Sequence, residues 1–205
     1  MPRLLVTGFA PFLDHAVNPT AWLAQHLDGQ VIDGAPVRGL QVPVTFTGAV
    51  PALRSAVDAW RPDAVIMFGL AYDTDVIRPE RLALNLDDAT APDNDGTIRR
   101  NRPIDPAGPM GYWSSLPLDA IIDDLQADGF ATRVSRDAGG YICNHLFFGM
   151  RHMRPDLPAG FIHVPPFPGD LKPQDRGHRI GMEGNRLLTA ARIILTRVVS
   201  ALAVA

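Results

Sequence analysis

The sequence predicts an α/β fold, a three-layer α/β/α sandwich around a mostly parallel, twisted central sheet. Two observations carry this. Short β-branched and aliphatic runs alternate with helical patterns along the chain, as they do where strands are joined by crossover helices. One such run, Ala64 to Phe68, is continuously apolar and stops at Gly69, as a strand buried on both faces does. The length agrees, because 205 residues fit one domain with a sizeable core and would crowd two. Residues 1–205 are therefore read as one domain.

Each element has its own signal. Leu4 to Thr7 is predicted as the first strand. Asn18 to Leu27 is predicted as a helix, opened by a capping asparagine and by Pro19, whose missing N–H matters least in the first turn. Val37 to Val42 follows as a strand. Thr47 is expected to cap a helix that reaches Trp60, with Pro51 tolerated near its start. Leu82 to Leu86 is the strand expected after Gly69. The Asp-, Asn-, Pro- and Gly-rich stretch from Asp87 to Met110 predicts a long ordered loop, and such loops in compact domains are often functional. A helix (Leu116 to Asp128), a strand (Ala131 to Ser135), a helix (Tyr141 to Met153) and a strand (Phe161 to Val164) come next. The Pro/Gly-rich tract from Pro165 to Gly181 is expected to be a mobile loop. From Leu187 to Ala205 the chain is strongly apolar. Thr189, Arg192, Thr196 and Ser200 nevertheless recur there at three- and four-residue spacing, which predicts an amphipathic packing helix rather than a membrane span.

Composition narrows function by exclusion. Hydrophobic residues make up 46% and charged residues 20%, which is ordinary for a globular chain. The net charge is -3 and no basic run is present, so nucleic acid is not an expected partner. The single cysteine excludes an internal disulfide and any multi-cysteine metal site. The first 13 residues are broken by Gly8 and Pro11 and lack the unbroken apolar region of a signal peptide. A reducing, cytoplasmic setting is expected. There is one lysine, Lys172, and there are two glutamates, Glu80 and Glu183. This bias suits a genome-wide codon preference, and it draws notice to any glutamate that remains.

Cys143 is the first candidate for chemistry. A lone cysteine in an intracellular α/β protein is usually inert core filler. Here, however, Asp137-Ala-Gly-Gly-Tyr-Ile-Cys-Asn-His puts two glycines just before a helix and the thiol in its first turn. Unpaired N–H groups and the positive end of the helix dipole favour a thiolate there, and helix N-termini lower cysteine pKa values to roughly 3.5–7.5. The same N–H groups suit an oxyanion. A base is needed next. His145 leaves the helix on roughly the opposite face from Cys143 and reads as structural. His163, in Phe161-Ile-His-Val-Pro, lies near the carboxyl end of a buried strand, where open α/β sheets place ligands. His15, His26, His152 and His178 lie in polar stretches and read as surface residues. Glu80, in Ile77-Arg-Pro-Glu-Arg-Leu, reads either as a solvated partner of Arg78 or Arg81, or as the acceptor that fixes the tautomer of His163. Phe9 and Phe12, in Gly8-Phe-Ala-Pro-Phe-Leu, suit either core or the floor of a pocket.

Taken together, these motifs resemble the pyroglutamyl peptidase I (pyrrolidone-carboxylate peptidase) family of cysteine peptidases. The resemblance spans nearly the whole chain. It rests on Gly8-Phe-Ala-Pro-Phe with Asn18-Pro-Thr, Glu80-Arg-Leu-Ala-Leu-Asn, Asp88-Ala with Pro92-Asp-Asn-Asp-Gly, Gly111-Tyr-Trp with Leu116-Pro, Cys143-Asn-His-Leu-Phe-Phe-Gly, and Gly160-Phe-Ile-His-Val-Pro, in that order. The resemblance implies a single α/β/α catalytic domain that needs no metal or cofactor. It implies Cys143 as nucleophile, His163 as base and Glu80 as its orienting partner. Phe9 and Phe12 are implied as a slot for the lactam ring, and Asn18 as support for that loop. The implied partners are peptides or small proteins with an N-terminal pyroglutamate, and a second or further copies of the chain in a homodimer or homotetramer. A flat, uncharged ring calls for apolar walls and a few hydrogen-bonding groups rather than a counter-charge.

The chain departs from the family at two places beside the implied pocket. After Gly69 the family commonly has Gln or Leu, then Ala and a Gly-Gly-Arg-like turn, where this chain reads Leu70-Ala-Tyr-Asp-Thr-Asp. Thr90 stands where the family usually has arginine, with Arg78 and Arg99 as candidate substitutes. Leu70 and Thr90 are accordingly expected in the substrate site. The departures motivate an alternative, an amidase with the same triad acting on another small cyclic or γ-substituted acyl amide. A further alternative is a weakly active paralogue that binds blocked peptide N-termini.

Overall fold

The computed structural model describes residues 1–12, 17–175 and 177–204. In chain order its elements are β1 (Leu4–Phe9), α1 (Pro19–Leu27), β2 (Val31–Ile32), β3 (Ala35–Val42), α2 (Ala49–Trp60), β4 (Ala64–Leu70), β5 (Arg78–Leu84), β6 (Gly111–Trp113), α3 (Leu118–Ala127), β7 (Ser135–Asp137), α4 (Ile142–Met153), β8 (Ala159–Val164) and α5 (Gly184–Leu202). The sheet runs β2-β3-β1-β4-β8-β5-β6, with β7 also paired to β5. Its central strands β3, β1, β4 and β8 are mutually parallel. β5 runs antiparallel to β8, which brings the start of β5 alongside the carboxyl end of β8.

Alternation along the strands divides the core in two. Leu4, Val6, Ile66 and Phe68 face α1, α3 and α5, where they meet Leu23, Ile121, Leu125, Ile194 and Val198. Leu5, Val65 and Met67 face α2 and α4, where they meet Leu53, Val57, Leu146 and Phe147. With both faces covered, β1 and β4 are apolar at nearly every position, as the Ala64 run predicts. α5 buries Leu187, Ala190, Ala191, Ile194 and Leu195 and leaves Thr189, Arg192, Thr196 and Ser200 exposed, so its polar stripe lies where the spacing predicts. Among the described residues no helix is long and apolar enough to cross a membrane.

Several boundaries differ from the sequence reading. β5 begins at Arg78 rather than Leu82, so Glu80 lies inside a strand and not before one. Proline and charged residues weaken a strand signal, yet pairing with β8 on one side and β7 on the other holds this segment extended. The expected Ala131 strand is reduced to an isolated bridge from Thr132 to Ile77, followed by β7. The N-cap of α2 is Gly48, and Thr45 rather than Thr47 turns its hydroxyl oxygen inward to accept from the Gly48 N–H at 3.0 Å. β2 forms a hairpin with β3 through Asp33 and Gly34, both at positive φ.

Candidate active site

α4 positions the thiol. Its N-cap, Tyr141, makes no side-chain cap to the first-turn N–H groups beside Cys143. The next two side chains lock this helix end to neighbouring segments. Asn144, fully buried, accepts from the Leu84 N–H at 2.8 Å and donates to the Leu84 and Leu86 carbonyls at 2.9 Å each. It thereby holds the end of the strand that carries Glu80. His145 pairs through Nδ1 with the buried Asp87 carboxylate at 3.0 Å, and Arg99 pairs with the same carboxylate at 2.9 Å. His145 is thus structural, as its place on the helix implies. Gly140 passes so near the chain at Asp88 that an added Cβ would lie 2.7 Å from the Asp88 carbonyl oxygen.

His163 lies on β8 with Gly69 of β4 as one Cα partner and Arg78 of β5 as the other. Glu80 opposes Phe161, so it sits diagonally from His163, within reach of a long side chain. Its Oε1 accepts from His163 Nδ1–H at 2.6 Å. Glu80 is 1% exposed, and its Oε2 has no hydrogen-bond partner among the described residues. The surface reading of Glu80 therefore fails, because Arg78 pairs with Asp73 instead, at 3.1 Å. Gly69 lets the thiol approach: a Cβ there would lie 3.0 Å from Cys143 Sγ and 2.6 Å from the Phe161 ring. Burial is the largest influence on His163 and disfavours its charged form. The negative charge and hydrogen bond of Cys143, together with those of Glu80, outweigh burial and push its pKa up to about 9.

Beside the thiol is a cavity of about 50 Å³ lined by Phe9, Phe12, Asn18, Val44, Leu70, Tyr141, Ile142 and Cys143. Phe9, Phe12, Asn18 and Leu70 are thus brought together with Cys143. Asn18 caps α1 by accepting from the Thr20 N–H at 3.0 Å, and its amide donates to the Ala10 carbonyl at 3.3 Å, which ties down the segment between the two phenylalanines. Thr90 is not brought in. It is exposed on the 87–110 loop and does not line the cavity. Neither Arg78 nor Arg99 takes its place: Arg78 is turned to Asp73, and Arg99 lies over the Phe46 ring at 4.8 Å while bound to Asp87. Sequence reasoning missed Val44, Tyr141 and Ile142. The last two directly precede Cys143 in the chain, which was the available signal, whereas nothing local marks Val44. The Tyr141 hydroxyl donates to the Pro92 carbonyl at 2.9 Å, and burial, reinforced by the charges of Asp93 and Cys143, pushes its pKa up to about 12. His26, His152 and His178 are exposed, and His15 lies outside the described residues.

The family model for pyroglutamyl peptidase matches residues 2–197. The chain belongs to the pyroglutamyl peptidase family. It is 40% identical over 170 residues to a pyrrolidone-carboxylate peptidase of Vibrio parahaemolyticus, covering 82% of this chain and 80% of that one. It is 41% identical over 169 residues to a pyrrolidone-carboxylate peptidase of Gloeobacter violaceus, covering 81% and 82%. Among solved structures it is similar to the pyrrolidone carboxyl peptidase of Thermococcus litoralis, with a TM-score of 0.94 and 32% identity over 99% of this chain and 96% of that one. It is also similar to the pyroglutamyl peptidase I of Bacillus amyloliquefaciens, with a TM-score of 0.91, 32% identity and 98% coverage of each. As a pyroglutamyl peptidase family member, the chain carries the family's α/β architecture over almost its full length.

Proposed function

We propose that this chain is a cysteine exopeptidase that hydrolyses the amide bond after an N-terminal pyroglutamyl residue. Cys143 is the nucleophile, His163 the acid and base, and Glu80 the group that orients His163. The observation that supports this best is a small, aromatic-walled cavity beside a thiol whose neighbouring imidazole is bound to a buried carboxylate. The cavity's apolar lining suits a flat, uncharged lactam ring.

In this mechanism the Cys143 sulfur attacks as the thiolate, with its proton held on His163. A C–S bond forms, and the carbonyl electron pair moves to oxygen, facing the uncapped N–H groups of α4. As the tetrahedral centre collapses, the C–N bond breaks and His163 Nε2 gives its proton to the departing amine. Water then loses a proton to Nε2 and attacks the thioester. The C–S bond breaks, releasing pyroglutamate and restoring the thiolate. Glu80 holds Nδ1–H throughout and so presents Nε2 to the reaction.

The test is release of amine from a pyroglutamyl amide by the wild type, by Cys143→Ala, and by the wild type given the matching prolyl amide. Turnover is expected only for the wild type with the pyroglutamyl compound. Proline lacks the lactam carbonyl, which would leave buried polar partners unpaired. Full activity of Cys143→Ala would sink the mechanism, and preference for another acyl group would favour the amidase reading.

A nucleophilic thiol calls for a reducing, cytoplasmic setting. The proposal includes assembly as a homodimer or homotetramer, for which the 66%-exposed Trp113 on edge strand β6 offers apolar surface. Light scattering of the purified protein measures that assembly directly.

A further inference from the structure

The turn after β4 is, in this structure, the anchor of a second loop. Residues 166–182 leave the carboxyl end of β8 and return to their own start, where the Met182 N–H donates to the Pro166 carbonyl at 2.8 Å. Gly181 makes this closure possible. Its φ is +70°, and a Cβ there would lie 2.8 Å from the Pro166 carbonyl oxygen.

The far part of this loop hooks onto the 71–75 turn. The Tyr72 hydroxyl donates to Asp175 at 2.8 Å and accepts from the Lys172 N–H at 2.6 Å. Arg179 donates to the Tyr72 and Thr74 carbonyls, stacks its guanidinium 5.2 Å from the Tyr72 ring centre, and lies 3.6 Å from Asp75. The Gly181 N–H donates to Asp75 at 3.0 Å. From the other side Arg78 holds Asp73. The tract expected to be mobile is therefore fastened at both ends.

The position of this clasp gives it a role. The turn starts one residue beyond Leu70, which lines the ring cavity, and the loop starts just beyond His163. The Ala71 N–H joins the two by donating to the Val164 carbonyl at 2.9 Å. In the proposed reaction the ring occupies the cavity and the departing amine lies at His163, both beside these paired carboxyl ends of β4 and β8. We propose that Tyr72 and Arg179, by seating the 166–182 loop on the 71–75 turn, build the wall against which the leaving peptide rests. They are positioning residues for the leaving group, and this assignment rests on the exopeptidase reading above.

Tyr72→Phe removes the hydroxyl and keeps the ring, and Arg179→Gln removes the guanidinium. Each variant is compared with the wild type on pyroglutamyl-alanine amide and on a pyroglutamyl tetrapeptide amide, with melting temperature and amide hydrogen exchange of residues 166–182 followed in parallel. For the tetrapeptide amide, KM is expected to rise about three- to tenfold with kcat unchanged, the scale of one or two lost hydrogen bonds. The shorter amide should be unaffected, and exchange in the loop should accelerate. A purely structural role would lower melting temperature and reduce turnover of both substrates alike, which would overturn the assignment, as would no change in either. Unaltered exchange in both variants would overturn the clasp itself. A wild type that hydrolyses neither amide while its loop stays protected would refute the exopeptidase reading, and with it the leaving-group role, but not the clasp.

Discussion

His163 is held by two neighbours that act in the same direction. The Cys143 charge and hydrogen bond and the Glu80 hydrogen bond and charge together raise its pKa to about 9, against burial, which alone would lower it. Because the folded value lies above the ordinary value of 6.5, the stability this group contributes is fully present below pH 6.5 and is lost as pH rises through about 9. Imidazole signals followed by NMR should therefore titrate near pH 9 in the wild type. In Cys143→Ala burial meets only Glu80, and the titration should move down. An unmoved titration would show that the sulfur does not bear on the ring. Much of this arrangement was legible in the chain: two glycines and a helix start around Cys143, and a histidine at a strand end. Glu80 was legible only as one of two readings, since local sequence cannot distinguish a solvated carboxylate from one that a strand pairing buries. Tyr141 was overlooked because an aromatic residue at a helix start has many uses, and the cavity it lines exists only once Phe9, Phe12 and Leu70 arrive from elsewhere.

At the scale of elements, the site depends on how the start of α4 is fastened to the end of β5. Asn144 acts there as a substitute strand edge, supplying an acceptor and two donations to backbone groups of Leu84 and Leu86. Asn144→Ala would remove the partner of three part-buried backbone groups and should destabilise the fold by about 3 kcal/mol. Amine release should fall as well, because Glu80 rides on the same strand. A urea midpoint change equivalent to less than about 1 kcal/mol would refute the clamp. Helices and double-covered strands were read closely from the sequence because their periodicity is strong. β5 was placed late because Pro79 and three charged residues mask a segment that pairing with β8 makes extended. The β2–β3 hairpin went unread although Asp33-Gly34 is a recognised hairpin signal. Its arm is only two residues long.

Across the whole molecule, two cores share one sheet, and β1, β4 and β8 lie between them with Leu4, Leu5, Ile66, Met67 and Phe161 fully buried. Amides of these strands should exchange only through global unfolding, while β2 and β6 at the sheet edges exchange earlier. Early exchange in β4 would show that the two halves of the core open separately. The Glu80–His163 bond has a further consequence, which concerns time. Its partners are 83 residues apart in the chain, and Asn144 reaches back 60 residues to Leu84. Contacts at such separation form only after the entropy of closing the intervening chain has been overcome. During folding His163 and Glu80 therefore meet only once β5 has docked on β8. Until then Cys143 stands apart from both, so under the proposed mechanism the native fold itself would confer the reactivity on the thiol.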